Sequence, residues 1–111
     1  MAETYKNARL AITNSEQTLY TNSSGGAGII VSLIITNIDG ASDDTVTVKV
    51  RDNSASADTE IASTMTVPAD SRLDVLGDNT KVFLENGDSI KITGGASSGD
   101  LIALASILEI T

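Results

Sequence analysis

The chain has 111 residues and a formal net charge of −8, with 15 acidic against 7 basic side chains, and it contains no histidine, cysteine or tryptophan. This composition excludes disulfides, Cys/His zinc sites and catalytic pairs of a nucleophile with histidine. A surface of this sign also repels phosphate backbones, which argues against a nucleic-acid partner.

Alternation of apolar and polar residues predicts strands along almost the whole chain. It is clearest at 45–51, where Val46, Val48 and Val50 share one face. The segment 28–37 is apolar on both faces, which is typical of a strand at the centre of a sheet. The predicted strands, in chain order, are 8–13, 17–21, 28–37, 45–51, 60–67, 72–76, 81–85, 89–93 and 100–110.

Turn residues separate these strands. Glycine-rich loops are predicted at 22–26 and 94–99. Asn86-Gly87 lies between two alternating segments, which predicts a hairpin with a type I′ turn. In the last strand, Ile102, Leu104, Leu108 and Ile110 fall on one face.

Strands with turns every 8–12 residues predict an all-β, antiparallel β-sandwich of about eight strands, jelly-roll-like or immunoglobulin-like. Length predicts a single domain over residues 1–111. Residues 1–7 are expected to be an extended N-terminal arm or the start of an edge strand. With three aromatic residues in the whole chain, the core must be aliphatic.

The sequence predicts no membrane partner and synthesis in a cytoplasm. No apolar stretch approaches the roughly 20 residues that span a bilayer, and the polar N-terminal segment lacks the apolar region of a signal peptide.

Acidic residues are the main candidates for chemistry. Asp39, Asp43 and Asp44 cluster in one predicted loop and could offer oxygens to calcium, but their spacing fits no EF-hand, and turn chemistry explains them equally well. We therefore predict no enzyme activity, no cofactor, no metal, and no catalytic residue.

Two groups of residues are candidates for partner contact. Strict alternation puts Ile30 and Ile34 on the opposite face of their strand from Ile29, Val31, Leu33 and Ile35. A second subunit could cover Ile30 and Ile34, or the chain's own N-terminal segment could. Near the N-terminus, Tyr5, Lys6 and Arg9 place an aromatic and two cations within five residues, as a docking arm or as a frayed end.

The order of several motifs resembles a set of small phage virion proteins found beside capsid and tail genes. The match covers most of the chain from Thr18 onward, although Ser24-Gly25-Gly26 stands where such proteins usually have a proline. The motifs, in order, are Thr18-Leu19-Tyr20, the strand at 29–37 leading into Asp39-Gly40, the strand at 47–52, the turn at 67–70, the segment 84–90 and the segment 106–110.

The resemblance implies a structural role in a virion, made in the host cytoplasm. We expect a capsid cement or decoration protein that binds the major capsid protein or another virion protein and forms a homo-oligomer, a trimer. Alternatives are a tail, neck or fibre-associated virion subunit and, from another class, a host-surface or carbohydrate-binding adhesion module.

Overall fold

A computed structural model describes residues 2–77, 80–95 and 100–111. These residues form strands and no helix, so no helix that could cross a membrane is found among them. The predicted loop at 94–99 lies mostly outside the described residues. The strands are β1 (Glu3–Ile12), β2 (Gln17–Thr21), β3 (Ala27–Asn37), β4 (Asp44–Asp52), β5 (Ala57–Val67), β6 (Arg72–Asp74), β7 (Val82–Leu84), β8 (Ser89–Gly94) and β9 (Leu101–Ile110).

The strands form two antiparallel sheets packed face to face. The first sheet has the order β1-β9-β3-β6, with β7 also paired to β3, and the second has the order β2-β8-β4-β5. Because β6 and β7 pair with different stretches of β3 along one edge, they act as a single interrupted strand. The result is two four-stranded layers in jelly-roll order. The all-β sandwich prediction is confirmed, and of its two forms the order is jelly-roll.

The core lies between the sheets and is aliphatic. Burying each Val, Leu or Ile side chain contributes roughly 1.5–3 kcal/mol before the entropy cost of folding. The buried apolar residues are Ile12, Leu19, Ile30, Leu33, Ile35, Val46, Val48, Ala62, Val67, Leu76, Leu84, Ile90, Ile92, Leu101, Ala103, Ala105 and Ile107.

Two buried asparagines hold the loops at the ends of the sandwich. The Asn22 side-chain amide donates to the carbonyls of Gly26 and Leu84, each at 3.0 Å. The Asn37 amide donates to the carbonyls of Ser42 and Val67, at 2.9 and 3.0 Å. These bonds satisfy loop carbonyls that would otherwise be buried without a donor.

The predicted hairpin at Asn86-Gly87 is wrong. β7 pairs with β3 in the first sheet, whereas β8 pairs with β2 and β4 in the second. Gly87 alone takes a positive φ, at 96°, so the two positive-φ residues of a type I′ turn are not present. The turn instead carries the chain across the end of the sandwich, where Asp88 accepts from the amides of Asn53 and Glu85.

A β-bulge corrects the predicted faces of β3. The register with β9 shifts between Ile30 and Ser32, so one extra residue enters the strand there. Alternation breaks at this point, and Ile30, Leu33 and Ile35 all face the core. The expectation that Ile30 lies on the uncovered face is therefore wrong, because Ile30 is 0% exposed.

Candidate interaction surface

The two outer faces of the sandwich differ in chemistry. On the second sheet, the outward side chains of β4 and β8 include cations held by polar neighbours. The Lys49 ammonium lies 3.1 Å from the Glu16 carboxylate, and the Lys91 ammonium donates to the Thr18 hydroxyl at 2.9 Å. This face is that of an ordinary solvated antiparallel sheet.

The outer face of the first sheet is apolar across four strands. The register places Tyr5 opposite Leu108, Leu108 opposite Ile29, and Ile29 opposite Phe83. A second row runs from Arg9 through Leu104 and Ile34 to Asp74. We call this surface the apolar face. It consists of the large apolar residues on the outward side of β3 and β9 together with one aromatic residue from each flanking strand: Ile29, Val31, Ile34, Ile102, Leu104, Leu108, Ile110, Tyr5 and Phe83.

At its middle, strand β9 points small side chains into the core and a large one outward, whereas Leu101 and Ile107 nearer its ends are buried. Its core side is lined at mid-strand by Ala103 and Ala105, both fully buried, while Leu104 between them is 45% exposed. An isolated domain gains most by burying its large aliphatic residues and exposing small ones. The reverse placement at the middle of this strand makes the outer face of the sheet a candidate for partner contact.

Among the described residues, the charged side chains of this surface lie at its edges. The outward positions of β9 and β3 carry no ionisable side chain, whereas β1 contributes Glu3 and Arg9 and β6 contributes Arg72 and Asp74. An apolar centre with a charged rim is the anatomy of a protein–protein interface.

A shallow concavity of about 420 Å³ interrupts the apolar face at the β3 bulge. Small and polar residues, Asn7 and Ser106, lie between the two apolar rows and leave room there. The lining residues are Tyr5, Lys6, Asn7, Val31, Ser106 and Ile107.

Three of the five predicted contact residues lie on this outer face. Tyr5 is 77% exposed, Arg9 is exposed beside Leu104, and Ile34 lies half-buried between Leu104 and Asp74. Lys6 points to the other side of β1, and Ile30 lies in the core. A fully buried side chain cannot touch a partner, so Ile30 leaves the candidate set, and contact by the others stays a prediction.

Lys6 belongs to a cluster at one end of the sandwich. Its ammonium lies 3.1 Å from the carboxylate of Glu109, which also accepts a hydrogen bond from the Tyr20 hydroxyl. The hydrogen bond from Tyr20, followed by that from Lys6, lowers the pKa of Glu109. Burial and the adjacent Glu109 raise the pKa of Tyr20. The three residues come from β1, β2 and β9, so the cluster ties the two sheets together.

The candidate calcium residues serve the turn instead. Asp39 accepts from the amides of Ala41 and Ser42, Asp43 from that of Ala69, and Asp44 from that of Thr45. This is the turn chemistry that the sequence left as the alternative.

Asp52, Glu85 and Asp88 form a separate cluster within residues 2–77, 80–95 and 100–111. One carboxylate oxygen of each lies within 4.8 Å of those of the other two. Both Asp88 oxygens already accept backbone amides, and Asp52 accepts from Ser54 and Ala55. Ser54 and Ala55, in that order, lower the pKa of Asp52. These acids therefore fix the loops at one end of the sandwich.

Sequence reasoning missed Phe83 as a surface residue and left the orientation of the last strand open. One signal was present in the sequence. Ala103 and Ala105 alternate with Ile102 and Leu104. In a protein that binds a partner, either the small or the large side chains of such a strand can face the core, since the partner can cover the other side. Phe83 belongs to a strand of three residues, too short for alternation to indicate a face.

No family model matches this chain, and no curated protein matches it by sequence. Solved structures do match. A structure of Bacillus endospore appendages, described as disulfide-linked pili, aligns with TM-score 0.56 at 14% identity, covering 96% of this chain and 84% of that one. The capsid of the Helicobacter pylori bacteriophage KHP30 aligns with TM-score 0.56 at 12% identity, covering 97% and 86%.

The Drosophila NLP core, described in terms of pentamer formation and histone binding, aligns with TM-score 0.53 at 10% identity, covering 99% of this chain and 98% of that one. The likeness is one of fold. At these identities it supports the jelly-roll sandwich that the strand order shows, and a phage capsid structure is among those that share it.

Proposed function

We propose that this chain is a non-enzymatic structural subunit of a phage virion, a capsid cement or decoration protein that binds the assembled shell through the apolar face. The observation that carries the proposal is the contrast between the two outer faces. One carries cations that are held by polar neighbours, while the other presents a row in which Tyr5 and Phe83 are exposed and Leu108 and Ile29, between them, are half-buried. The motif order supports a virion partner, and the fold is compatible with one.

Binding of this kind stabilises the shell by mass action. A subunit that binds only the assembled shell, at a free concentration of 100 times its Kd, adds about 2.7 kcal/mol per occupied site. Apolar area buried at each contact contributes roughly 25 cal/mol per Å² before the cost of association. The net charge of −8 opposes non-specific aggregation of protein that is not bound to the shell.

Binding to shells prepared without this protein tests the proposal. Phe83→Lys puts a charge on the apolar face at a residue that is 63% exposed, so the fold should survive. The matched control is Thr66→Lys, which adds the same charge at an exposed position of β5 in the second sheet.

We expect Phe83→Lys to weaken co-sedimentation with shells by about tenfold or more, equivalent to about 1.4 kcal/mol, and Thr66→Lys to bind like the parent. Shells with the protein added should also resist heat and osmotic shock better than shells without it. Equal binding of the two variants, or shells no tougher with the protein than without, would refute the proposal.

Copy number separates the cement role from the alternative virion roles. Quantitative mass spectrometry of particles should give a copy number that scales with the number of capsomers for a cement protein. A tail, neck or fibre subunit would be present in a small fixed number. Binding to a glycan array would instead support the adhesion alternative. The trimer expected from the sequence is tested by the mass of the isolated protein in solution, which also tests the alternative that is argued below.

A further inference from the structure

The free edge of β1 is a regular, unpaired strand edge. The amides and carbonyls of Ala2 and Thr111 exchange two hydrogen bonds, each 2.9 Å long. In an antiparallel ladder such reciprocal pairs recur at every second residue, so the even-numbered residues of β1 bond to β9. Glu3, Tyr5, Asn7, Arg9 and Ala11 therefore direct their backbone N–H and C=O groups away from the sheet, and none of these groups has a partner in the described chain.

The other three edges carry features that discourage pairing. β2 has five residues and a bulge between Thr18 and Tyr20. β5 has irregular register with β4, and Thr64 has a positive φ of 48°. β6 and β7 have three residues each. Short strands and bulges are the usual protection of sheet edges. β1 has neither of these features, because its ten residues keep an unbroken register with β9, and its charged side chains Glu3, Lys6 and Arg9 are the protection that it carries.

We propose that β1 pairs antiparallel with β1 of a second copy, about a twofold axis that passes between the two Asn7 residues. This inference goes beyond the proposed virion role and does not depend on it. The contact joins the two first sheets into one continuous sheet and brings the two apolar faces side by side on the same surface. It predicts two copies in solution, in place of the trimer expected for a cement protein, and the mass in solution decides between them.

The side chains of β1 select this register. With Asn7 opposite the partner's Asn7, each of the five residues whose backbone groups point to the free edge lies opposite another such residue of the partner. The five pairs give about ten backbone hydrogen bonds. Tyr5 then lies opposite the partner's Arg9, a cation–π pair, and Glu3 lies diagonally from the same arginine. Arg9 has no ion pair within its own described chain, and this register supplies two partners for it.

Moving the axis by one residue in either direction reduces the five outward pairs to four. Centred on Lys6, Glu3 would lie directly opposite the partner's Arg9, but the two Lys6 side chains would also lie directly opposite each other, and like charges in that position are destabilising. Centred on Ala8, only four outward pairs form and Tyr5 faces the partner's Ala11. The complementary charges of Glu3 and Arg9 therefore favour a second copy of this chain as the occupant of this edge, and the fifth outward pair, together with the separation of the two Lys6 side chains, favours the register centred on Asn7.

Sedimentation of the purified protein up to about 1 mM tests the proposal, with Asn7→Pro as the disrupting variant. The Asn7 amide points away from β9, so proline there removes a donor from the free edge and none from the intramolecular ladder. We expect a dimer for the parent protein and a monomer for Asn7→Pro, with matching circular dichroism. Phe83→Lys, on the apolar face and away from β1, should leave the dimer intact.

A cysteine variant reports the register independently of any loss of folding. The chain has no cysteine of its own. Cα atoms of directly opposed residues in a hydrogen-bonded pair are about 5.5 Å apart, which suits a disulfide. Asn7→Cys should therefore oxidise to a covalent dimer at least about tenfold faster than Thr59→Cys, an exposed control on the edge strand β5.

Several outcomes would overturn the proposal. These are a parent protein that is monomeric or trimeric throughout, a dimer that Phe83→Lys abolishes, a dimer that persists in a folded Asn7→Pro variant, or equal oxidation of the two cysteine variants. Because none of these measurements involves a shell, they can fail while the virion role stands, and the reverse.

Discussion

Alanine substitutions along β9 test which face of this strand the core uses. Ile107 is 2% exposed, so Ile107→Ala should leave a cavity and cost about 2–5 kcal/mol of unfolding free energy. Leu104 is 45% exposed. Leu104→Ala removes three carbons, each contributing about 0.8 kcal/mol when fully buried, so at roughly half burial the expected cost is about 1 kcal/mol.

Urea unfolding followed by far-ultraviolet circular dichroism measures both costs. Since 1 kcal/mol shifts the melting temperature of a domain this size by roughly 4 °C, thermal scans should separate the two variants as well. Ala103→Leu serves as a control from the other direction. Ala103 is fully buried, and overpacking there should cost about 1–3 kcal/mol.

Equal costs for Leu104→Ala and Ile107→Ala in dilute protein would refute this assignment of faces, since Leu104 would then be as buried as Ile107. A cost for Leu104→Ala that grows with protein concentration would mean that a second copy covers the apolar face. That result would contradict pairing through the β1 edge alone.

Three further substitutions probe the ends of the sandwich. The hydrogen bonds of Glu109 lower its folded pKa. Its contribution to stability is therefore present above the ordinary glutamate pKa of about 4.3 and is lost as pH falls through the lower folded value. The Glu109→Gln variant should be less stable than the parent at neutral pH and should lose less stability on acidification, as measured by urea midpoints across pH. Asn22→Ala removes donors to two carbonyls and should cost about 1–3 kcal/mol in the same assay, whereas a cost near zero would mean that water replaces the amide. Gly87→Ala places a Cβ at positive φ, 3.3 Å from the Asn53 amide, and should lower the melting temperature by several degrees, whereas an unchanged value would contradict the backbone angle.

Sequence patterning predicted the strands well where one face is buried and the other is wet. In β4, Val46 and Val48 face the core as their alternation indicates, with Lys49 outward. Alternation gave the wrong faces where a β-bulge interrupts the strand. The β3 bulge shifts the alternation by one residue after Ile30. The residues there, Val31 and Ser32, are not of a type that indicates a bulge.

The candidate surface was only partly predictable for a related reason. Tyr5, Arg9 and Ile34 were found from composition and alternation, but Phe83 and Leu108 join them only through the cross-strand register. Register depends on which strands are neighbours in a sheet. β7 and β9 are both distant from β1 in the sequence, so no local pattern indicates that these strands share a sheet. The Asn86-Gly87 turn misled because a short-range signal cannot say which sheet the next strand joins.

The pairing of β1 with β9 also bears on how the protein folds. Glu3 pairs with Ile110, so the ladder at the edge of the first sheet closes a loop that contains nearly the whole chain. Contacts this distant in sequence give a high contact order and slow folding. Without β9 between them, β1 and β3 would each present an open edge, because β9 is the strand that pairs with both. A circular permutant that joins Ile110 to Glu3 through a short linker would turn the pairing of β1 with β9 into a local hairpin and should fold faster at similar stability.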